Sequence, residues 1–417
     1  MRTIVLSALL LAAVLAGCTG THSAPAPATP ARHDTGPTPA PAQLATRMDY
    51  LASAKFNASD SPQGLGEWID DGLLYLSGGA GLRIVDIHDP ANPVVLSEDT
   101  PDTNSRDVDL IHHPNGRLYA VLADDGESQM KLVDVTDPHA PALVAKTTTC
   151  VHTVAVVPGT TVVYGSWSLC QATRPAQMLD GDVEIVDFKD PQHPVSKLFV
   201  FPPAAMVGGR PHPITATSCH EMTFNAQLHR AYCAAITDTQ VWDDSDPLDP
   251  TIIGVIDDPL VNIHHSVWDA DNGTTLVLGD EVAGAEAPAP TCSDKADLPT
   301  SALAFYDIKD LANPVRLGSY NIPYDSLGGG EGTATKVCTT HLGDVIDGTD
   351  RIVMGWYVAG TVLVDFSDPA HAKTVATWRA DGATSVWETR YYQGHVYSAD
   401  EVRGLDVLTL AAGDASR

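Results

Sequence analysis

The sequence predicts an all-β protein: a seven-bladed β-propeller closed by an N-terminal strand. Three observations predict it. A short apolar run ending in aspartate recurs seven times, with marker residues Asp86, Asp134, Asp187, Asp243, Asp307, Asp365 and Asp406 spaced 41 to 64 residues apart. Each run is rich in Val, Ile, Leu and Tyr, the residues of strands buried on both faces. The last copy lies too close to the C-terminus to have an outer strand of its own, and Met48–Phe56 has the pattern of the missing one. Repeats of about 40–60 residues built from short β-rich runs are the pattern of propeller blades. Closure by a strand from the other terminus would cover an exposed edge.

Composition narrows the class further. Lys and Arg number 24 against 53 Asp and Glu, a net charge of −29. No basic footprint for nucleic acid or anionic lipid is present. With 44% apolar and 18% charged residues the chain is globular rather than disordered.

From the N-terminus, Met1–Arg2 is a basic start, and Ile4–Gly17 is an apolar run of 14 residues. A membrane span needs about 20, so this is the core of a signal peptide. The run ends in Leu15-Ala16-Gly17-Cys18, which resembles a bacterial lipobox. The resemblance implies that residues 1–17 are removed and Cys18 is lipidated, with ordinary cleavage and a free Cys18 as the alternative. Each buried CH₂ of an acyl chain contributes about 0.8 kcal/mol, so two or three chains anchor firmly. Residues 18–43, rich in Pro, Ala and Thr, form a semi-rigid spacer. Residues 44–417 are then the propeller, held outside the cytoplasm on the membrane or cell surface of a bacterium. It is expected to be a monomer.

Within the propeller the repeated run is expected to be the third strand of each blade. The Asp-Pro-x-x-Pro that follows several copies, as in Asp89-Pro90-Ala91-Asn92-Pro93, cannot continue a ladder. It is expected to turn the chain into an outer strand such as Pro314–Ser319, with the marker aspartate capping the turn. The runs Leu82–Asp86, Lys131–Asp134, Val183–Asp187 and Val362–Asp365 resemble the LVIVD repeat of bacterial and archaeal surface propellers. Cys219-His220-Glu221, His265-Ser266-Val267 and Arg403–Val407 are similar to stretches of its secreted actinobacterial members. The resemblance implies fold and location. It implies no activity and carries no catalytic residues.

The innermost strands carry the chemistry. Aligned by the turns that end them, they begin with His152, His220, His265 and His341 in four consecutive blades. The same alignment gives Asp107 in blade two and Trp387 beside Glu388 in blade seven. Matched positions on a rotationally repeated scaffold converge on the axis. His152, His220, His265, His341 and Asp107 are therefore the metal-ligand candidates, because neutral imidazole suits zinc and copper. The competing reading makes each histidine a packing residue bonded to the main chain of the next blade. Glu221, Glu281 and Glu388 are the candidate bases. Asp280-Glu281, Asp400-Glu401 and Asp124-Asp125 are expected to end second strands on the same face. They could orient imidazoles or be solvated loop carboxylates. His112, His113 and His264 are expected to face elsewhere.

Three long insertions, 201–218, 282–300 and 320–337, are also assigned to this face. Long loops on one face of a rigid scaffold usually bind. Six cysteines besides Cys18 suit an oxidising compartment. Strand positions suggest the pairs Cys150–Cys170, Cys219–Cys233 and Cys292–Cys338, though six cysteines allow 15 pairings. The pattern Gly-x-Ser-x-Gly, the zinc motif His-Glu-x-x-His and the EF-hand loop are absent. The leading expectation is therefore capture of an envelope protein, peptide or glycan at the loop-rich face. The alternative is a metal-dependent hydrolase or oxidase using the histidines, with zinc or copper as the implied cofactor.

Overall fold

The computed structural model describes residues 45–412 apart from 57–61, 80, 99–104, 125–128, 148–150, 167–181, 217, 271–272, 282–302 and 323–337. Cys18, the spacer, Cys150, Cys170, Cys292 and the 282–300 insertion lie outside the described residues.

Strand β1 (Ala45–Ala54) comes first. Blade one is β2 (Glu67–Asp70), β3 (Leu73–Leu76), β4 (Arg83–Asp86) and β5 (Val94–Ser97). Blade two is β6 (Asp107–His112), β7 (Leu118–Asp124), β8 (Gln129–Asp134) and β9 (Ala142–Lys146). Blade three is β10 (Thr153–Val156), β11 (Val162–Ser166), β12 (Asp182–Asp187) and β13 (Val195–Val200). A separate hairpin, β14 (Ala204–Val207) and β15 (Arg210–Pro213), follows. Blade four is β16 (Glu221–Asn225), β17 (Arg230–Ala234), β18 (Thr239–Asp243) and β19 (Thr251–Ile256). Blade five is β20 (His264–Ala270), β21 (Thr275–Asp280), β22 (Leu303–Asp307) and β23 (Val315–Tyr320). Blade six is β24 (Gly343–Val345), β25 (Arg351–Gly355), β26 (Thr361–Asp365) and β27 (Lys373–Trp378). Blade seven is β28 (Val386–Tyr392), β29 (His395–Asp400) and β30 (Gly404–Ala412), completed by β1.

The repeated run is the third strand of every blade, as expected. Its aspartate caps the following turn: Asp86 Oδ1 accepts the His88 N–H at 2.9 Å, and Asp134, Asp187, Asp243, Asp307 and Asp365 accept the equivalent N–H. Asp406 differs. Among the described residues no outer strand follows it; β30 runs on and pairs antiparallel with β1, Met48 opposite Leu410 and Ser53 opposite Asp406. The buried Asp406 carboxylate is instead held by Arg403 Nε at 2.7 Å and a terminal nitrogen at 2.9 Å.

The insertion 201–218 does not sit on the histidine face. Ala205 and Val207 form the apolar stripe of the hairpin and are buried with Ile252 and Val255 of β19. Its tip, Gly208, lies against Ala312 in a strand-three to strand-four turn. The hairpin therefore runs down the outside of blade four, because burying that stripe there removes apolar surface from water.

Adjacent innermost strands splay apart, and polar side chains stitch them together. Asp107 Oδ2 and Asp109 Oδ2 accept the N–H of Val154 and Val156 at 2.8 and 2.6 Å. The Thr153 hydroxyl donates to the His220 carbonyl, Thr223 to Val267 at 2.9 Å, and Ser266 to His341 at 3.0 Å. Asp344 accepts the Tyr391 N–H at 3.0 Å, and Glu388 accepts the Glu67 N–H at 2.9 Å. Between blades one and two the main chains bond directly, Gly66 N–H to the Arg106 carbonyl at 3.0 Å. A Cβ at Gly66 would come within 2.6 Å of Asp107 Oδ1, so only glycine permits that approach. The stitches satisfy backbone groups that no ladder reaches.

Candidate metal centre at the axial mouth

One backbone bond marks the start of the innermost strand in five of the seven blades. His152, His220 and His341 donate their N–H to the carbonyls of Ser166, Ala234 and Gly355 at 2.6, 2.7 and 2.9 Å. The equivalent donors in blades one and two are Leu65, to Ser77 at 3.0 Å, and Arg106, to Ala123 at 2.8 Å. In blades five and seven His265 and Trp387 occupy breaks in the ladder, between His264 and Ser266 and between Val386 and Glu388. The mouth positions are therefore Leu65, Arg106, His152, His220, His265, His341 and Trp387. Arg106, not Asp107, is the blade-two member. Asp107 lies one residue deeper, with both oxygens committed to main-chain N–H groups.

Two strained turns set the breaks. Ile236, at φ 66°, exchanges hydrogen bonds with His264 at 3.1 and 2.9 Å. Tyr357, at φ 40°, does the same with Val386 at 3.0 and 2.9 Å. A positive φ is costly for both residue types. Each bridge pins the residue just before a mouth position and leaves His265 and Trp387 free of the regular pleat.

The rings form an unbroken arc. Centroids of His152 and His220 are 4.8 Å apart, of His220 and His265 4.0 Å, of His265 and His341 4.6 Å, and of His341 and Trp387 3.9 Å. No histidine of the arc is more than 5% exposed. Glu281, just past β21, joins from the side. Its Oε2 is 3.4 Å from His265 Nε2, and its Oε1 accepts the Tyr357 hydroxyl at 2.6 Å. Ligand atoms of His265, Glu281 and His341 lie within 4.8 Å of one another.

Electrostatics suit cation capture. Burial, and then the neighbouring imidazoles, push His220 and His265 well below the usual histidine range. Burial takes His341 down to about 3. Those rings are neutral at pH 7, the form that ligates a metal. The His341 Nδ1–H donates to the Trp387 carbonyl at 2.9 Å, which leaves Nε2 for a ligand. The main chains of His265 and His341 pull on His220 and His265 in the same way, but without full hydrogen-bond geometry. The packing bond and the ligand role are thus compatible: the first fixes the tautomer that the second needs. Both ring nitrogens of His265 and Nδ1 of His220 are buried without a well-formed hydrogen bond. Burial raises Glu281 to about 7, against the pull of the Tyr357 bond and Arg106.

The other candidates have different surroundings. Glu221 Oε1 is 3.6 Å from His220 Nδ1, and burial, with Asp107 and Glu388 nearby, raises it well above the carboxylate range. Glu388 is paired with Arg390 at 2.7 Å. Arg390 lies half-buried among Glu388, Asp344, Glu67 and Asp109, with its guanidinium 4.6 Å from the Trp68 ring centre. Cys219 is bonded to Cys233, stapling strands one and two of blade four as expected, with Cα atoms 5.5 Å apart. Cys338 is also disulfide-bonded, to a partner outside the described residues. Neither is a thiolate ligand. Sequence reasoning missed Arg106 and Tyr357. Arg106 was legible one position before Asp107, but Tyr357 lies in a strand-two to strand-three turn and carries no sequence signal.

Residues 68–98 match the LVIVD repeat. They span blade one from its first strand to its last. Most of the chain is similar in shape to propellers of known structure. The β-propeller domain of Cps50 (Swd1) from Myceliophteria thermophila aligns with TM-score 0.57 at 9% identity, covering 87% of this chain and 100% of that one. The WD40 propeller domain of Doa1 aligns with TM-score 0.50 at 9% identity, covering 87% and 96%. Chaetomium thermophilum Raptor aligns with TM-score 0.57 at 9% identity, but the match spans only 29% of that chain. Identities this low speak for the fold alone. A comparison of the sequence with curated proteins finds no match.

Proposed function

We propose that this is an extracytoplasmic, lipid-anchored propeller whose working site is a transition-metal centre at the axial mouth. The observation that carries the reading is the convergence of His265, Glu281 and His341 within 4.8 Å. Two neutral imidazoles and one carboxylate are the donor types of open zinc sites, and imidazole suits copper equally. His220, the next ring of the arc, is the nearest further nitrogen donor. Such a centre polarises water or a bound group, which serves hydrolytic or oxidative chemistry. With Glu281 ligating, Glu221, 3.6 Å from His220 Nδ1, is the carboxyl group placed for proton transfer. The export-type leader, the lipobox-like Cys18 and the disulfides support the location.

The test is metal content. The full chain, purified without a histidine tag, is expected to hold about one equivalent of zinc or copper by mass spectrometry. His265→Ala/His341→Ala should lose it while unfolding at a similar temperature. No metal after exposure to zinc, copper, iron and manganese would end this reading. A second reading, capture of an envelope protein, peptide or glycan, keeps one support: the long insertion that the sequence places directly after Glu281, a residue in contact with the His265 ring. Deleting 282–300 without unfolding would then abolish capture, and unchanged capture would exclude it.

A further inference from the structure

His265, Glu281 and His341 come from three separate stretches of chain, yet one residue grips all three stretches. Asp280 ends β21 and is fully buried. Its Oδ2 and Oδ1 accept the N–H groups of Asn262 and Ile263 at 2.9 and 3.0 Å. It also faces His264 in the ladder, so the stretch it holds runs straight into His265. Its carbonyl accepts the hydroxyls of Thr339 and Thr340, both at 3.0 Å. The next residue along that stretch is His341. Glu281 follows Asp280 in the chain itself.

A second copy of the device, 120 to 122 positions later, separates this role from simple bracing. There His341 stands for His220, Tyr357 for Ile236, Val386 for His264, Trp387 for His265, and Asp400-Glu401 for Asp280-Glu281. Asp400 is equally buried and faces Val386. Its carboxylate accepts the Ser385 N–H at 3.0 Å and the Thr384 hydroxyl at 2.5 Å. It also accepts the N–H groups of Val402 and Arg403 at 2.8 and 3.0 Å. Both aspartates thus fix the entry to a mouth position, but Asp400 leads to Trp387 and Asp280 to His265. A carboxylate accepts two N–H donors at once, whereas an amide turns its own NH₂ toward one of them. A buried N–H left without an acceptor forces the main chain to shift. Metal bonds near 2.0–2.1 Å tolerate only about 0.2 Å of error, so a shift that packing absorbs is already too large for ligation.

Resting on the metal reading above, we propose that Asp280 is the positioning residue of the metal centre, holding His265, Glu281 and His341 in one frame before the ion arrives. It does not touch the ion: both carboxylate oxygens are committed to main-chain N–H groups. Ligands held in place in this way lose little freedom on binding.

The experiment uses the full chain, with zinc and cobalt(II) as probes, and compares wild type with Asp280→Asn and Asp400→Asn. Metal content of the wild type is measured first. Zinc affinity is then read by chelator competition, ligand geometry by the cobalt(II) absorption spectrum, and stability by unfolding of the metal-free forms. Asp280→Asn should bind zinc about 10- to 100-fold more weakly, with a changed cobalt spectrum. Asp400→Asn, which reaches the ligands only through the Trp387 carbonyl, should lose stability in the same way but stay within about threefold in affinity, with the wild-type spectrum. Wild-type affinity and spectrum in Asp280→Asn would overturn the proposal while sparing the metal centre. So would an equal loss in Asp400→Asn, because the effect would then be general loosening of the mouth. If Asp280→Asn does not fold, Thr340→Val and Thr340→Ser decide from the other arm. A loss of about fivefold in the valine variant, with the serine variant unchanged, supports the frame, and equal affinity in both overturns it. Absence of metal in the wild type would remove both readings, and the first measurement would show this before any variant is compared.

Discussion

Replacing Tyr357 by Phe removes one oxygen atom from the candidate metal centre and little else. The ring, 5.0 Å from that of His341 and 6.1 Å from that of Trp387, still packs. What is lost is the 2.6 Å hydrogen bond to Glu281 Oε1. A bond to a charged acceptor contributes about 1.5–3 kcal/mol. Glu281 is buried, so water does not readily replace the missing donor. The bond also favours the ionised carboxylate, which burial otherwise raises to about 7. Without it Glu281 takes up its proton at higher pH, and the metal must displace that proton. At about 1.4 kcal/mol per tenfold, the loss corresponds to zinc binding at pH 7 weakened by about 10- to 150-fold. The pH midpoint of binding should rise by about one to two units. Losses of 10–100-fold are usual when a group orienting a ligand is removed. The assay is competition with a chromophoric chelator between pH 6 and 9. Equal affinity and an unmoved midpoint in Tyr357→Phe would refute the reasoning, because the hydroxyl would then neither orient nor ionise Glu281.

Three further outcomes follow from the same geometry. Burial raises Asp109 to about 7 and, with the Glu388 charge, Asp107 to about 8, so the folded state holds protons that the unfolded chain has released. Stability of the metal-free protein should then fall between pH 7 and 8, by about 1.4 kcal/mol per unit for each such group below its folded value. The depressed histidines oppose this below about pH 7, where the unfolded chain still binds protons that the buried rings exclude, and add little above it; thermal unfolding that strengthens between pH 7 and 8 would contradict the account. Arg390→Met should destabilise by about 3–5 kcal/mol in denaturant titration, because the buried Glu388, Glu67 and Asp109 lose their shared cation; a change under 1 kcal/mol would show that these carboxyls are held neutral without it. Cys219→Ser/Cys233→Ser opens a loop of sequence separation 14 and should cost about 3 kcal/mol, with no loss expected if the reduced chain already holds β16 against β17.

The repeat was legible in the sequence because its cause is local. A Val- and Ile-rich run can only be a strand buried on both faces, and an Asp-Pro turn can only end it. Asp86 and its counterparts therefore cap the turns where the pattern puts them. The missing outer strand of the last blade was likewise a matter of counting, and β1 supplies it. The four histidines were visible as matched starts of innermost strands, since rotation repeats any position that the sequence repeats.

Contacts between blades were decided only by the tertiary structure. Asp107 and His152 look equivalent when strands are aligned by their turns, yet a one-residue offset makes one a staple to Val154 and the other part of the ring arc. Such an offset reverses the direction of a side chain in a strand. The breaks that free His265 and Trp387 depend on the positive φ of Ile236 and Tyr357 in the preceding blades. Arg106 meets Trp387 across more than 280 residues of chain. The hairpin 204–213 left the mouth because a buried face was available on blade four. Local pattern thus determined the blades and their order. Distances between side chains of different blades set the chemistry of the mouth, and those distances exist only once the ring is closed.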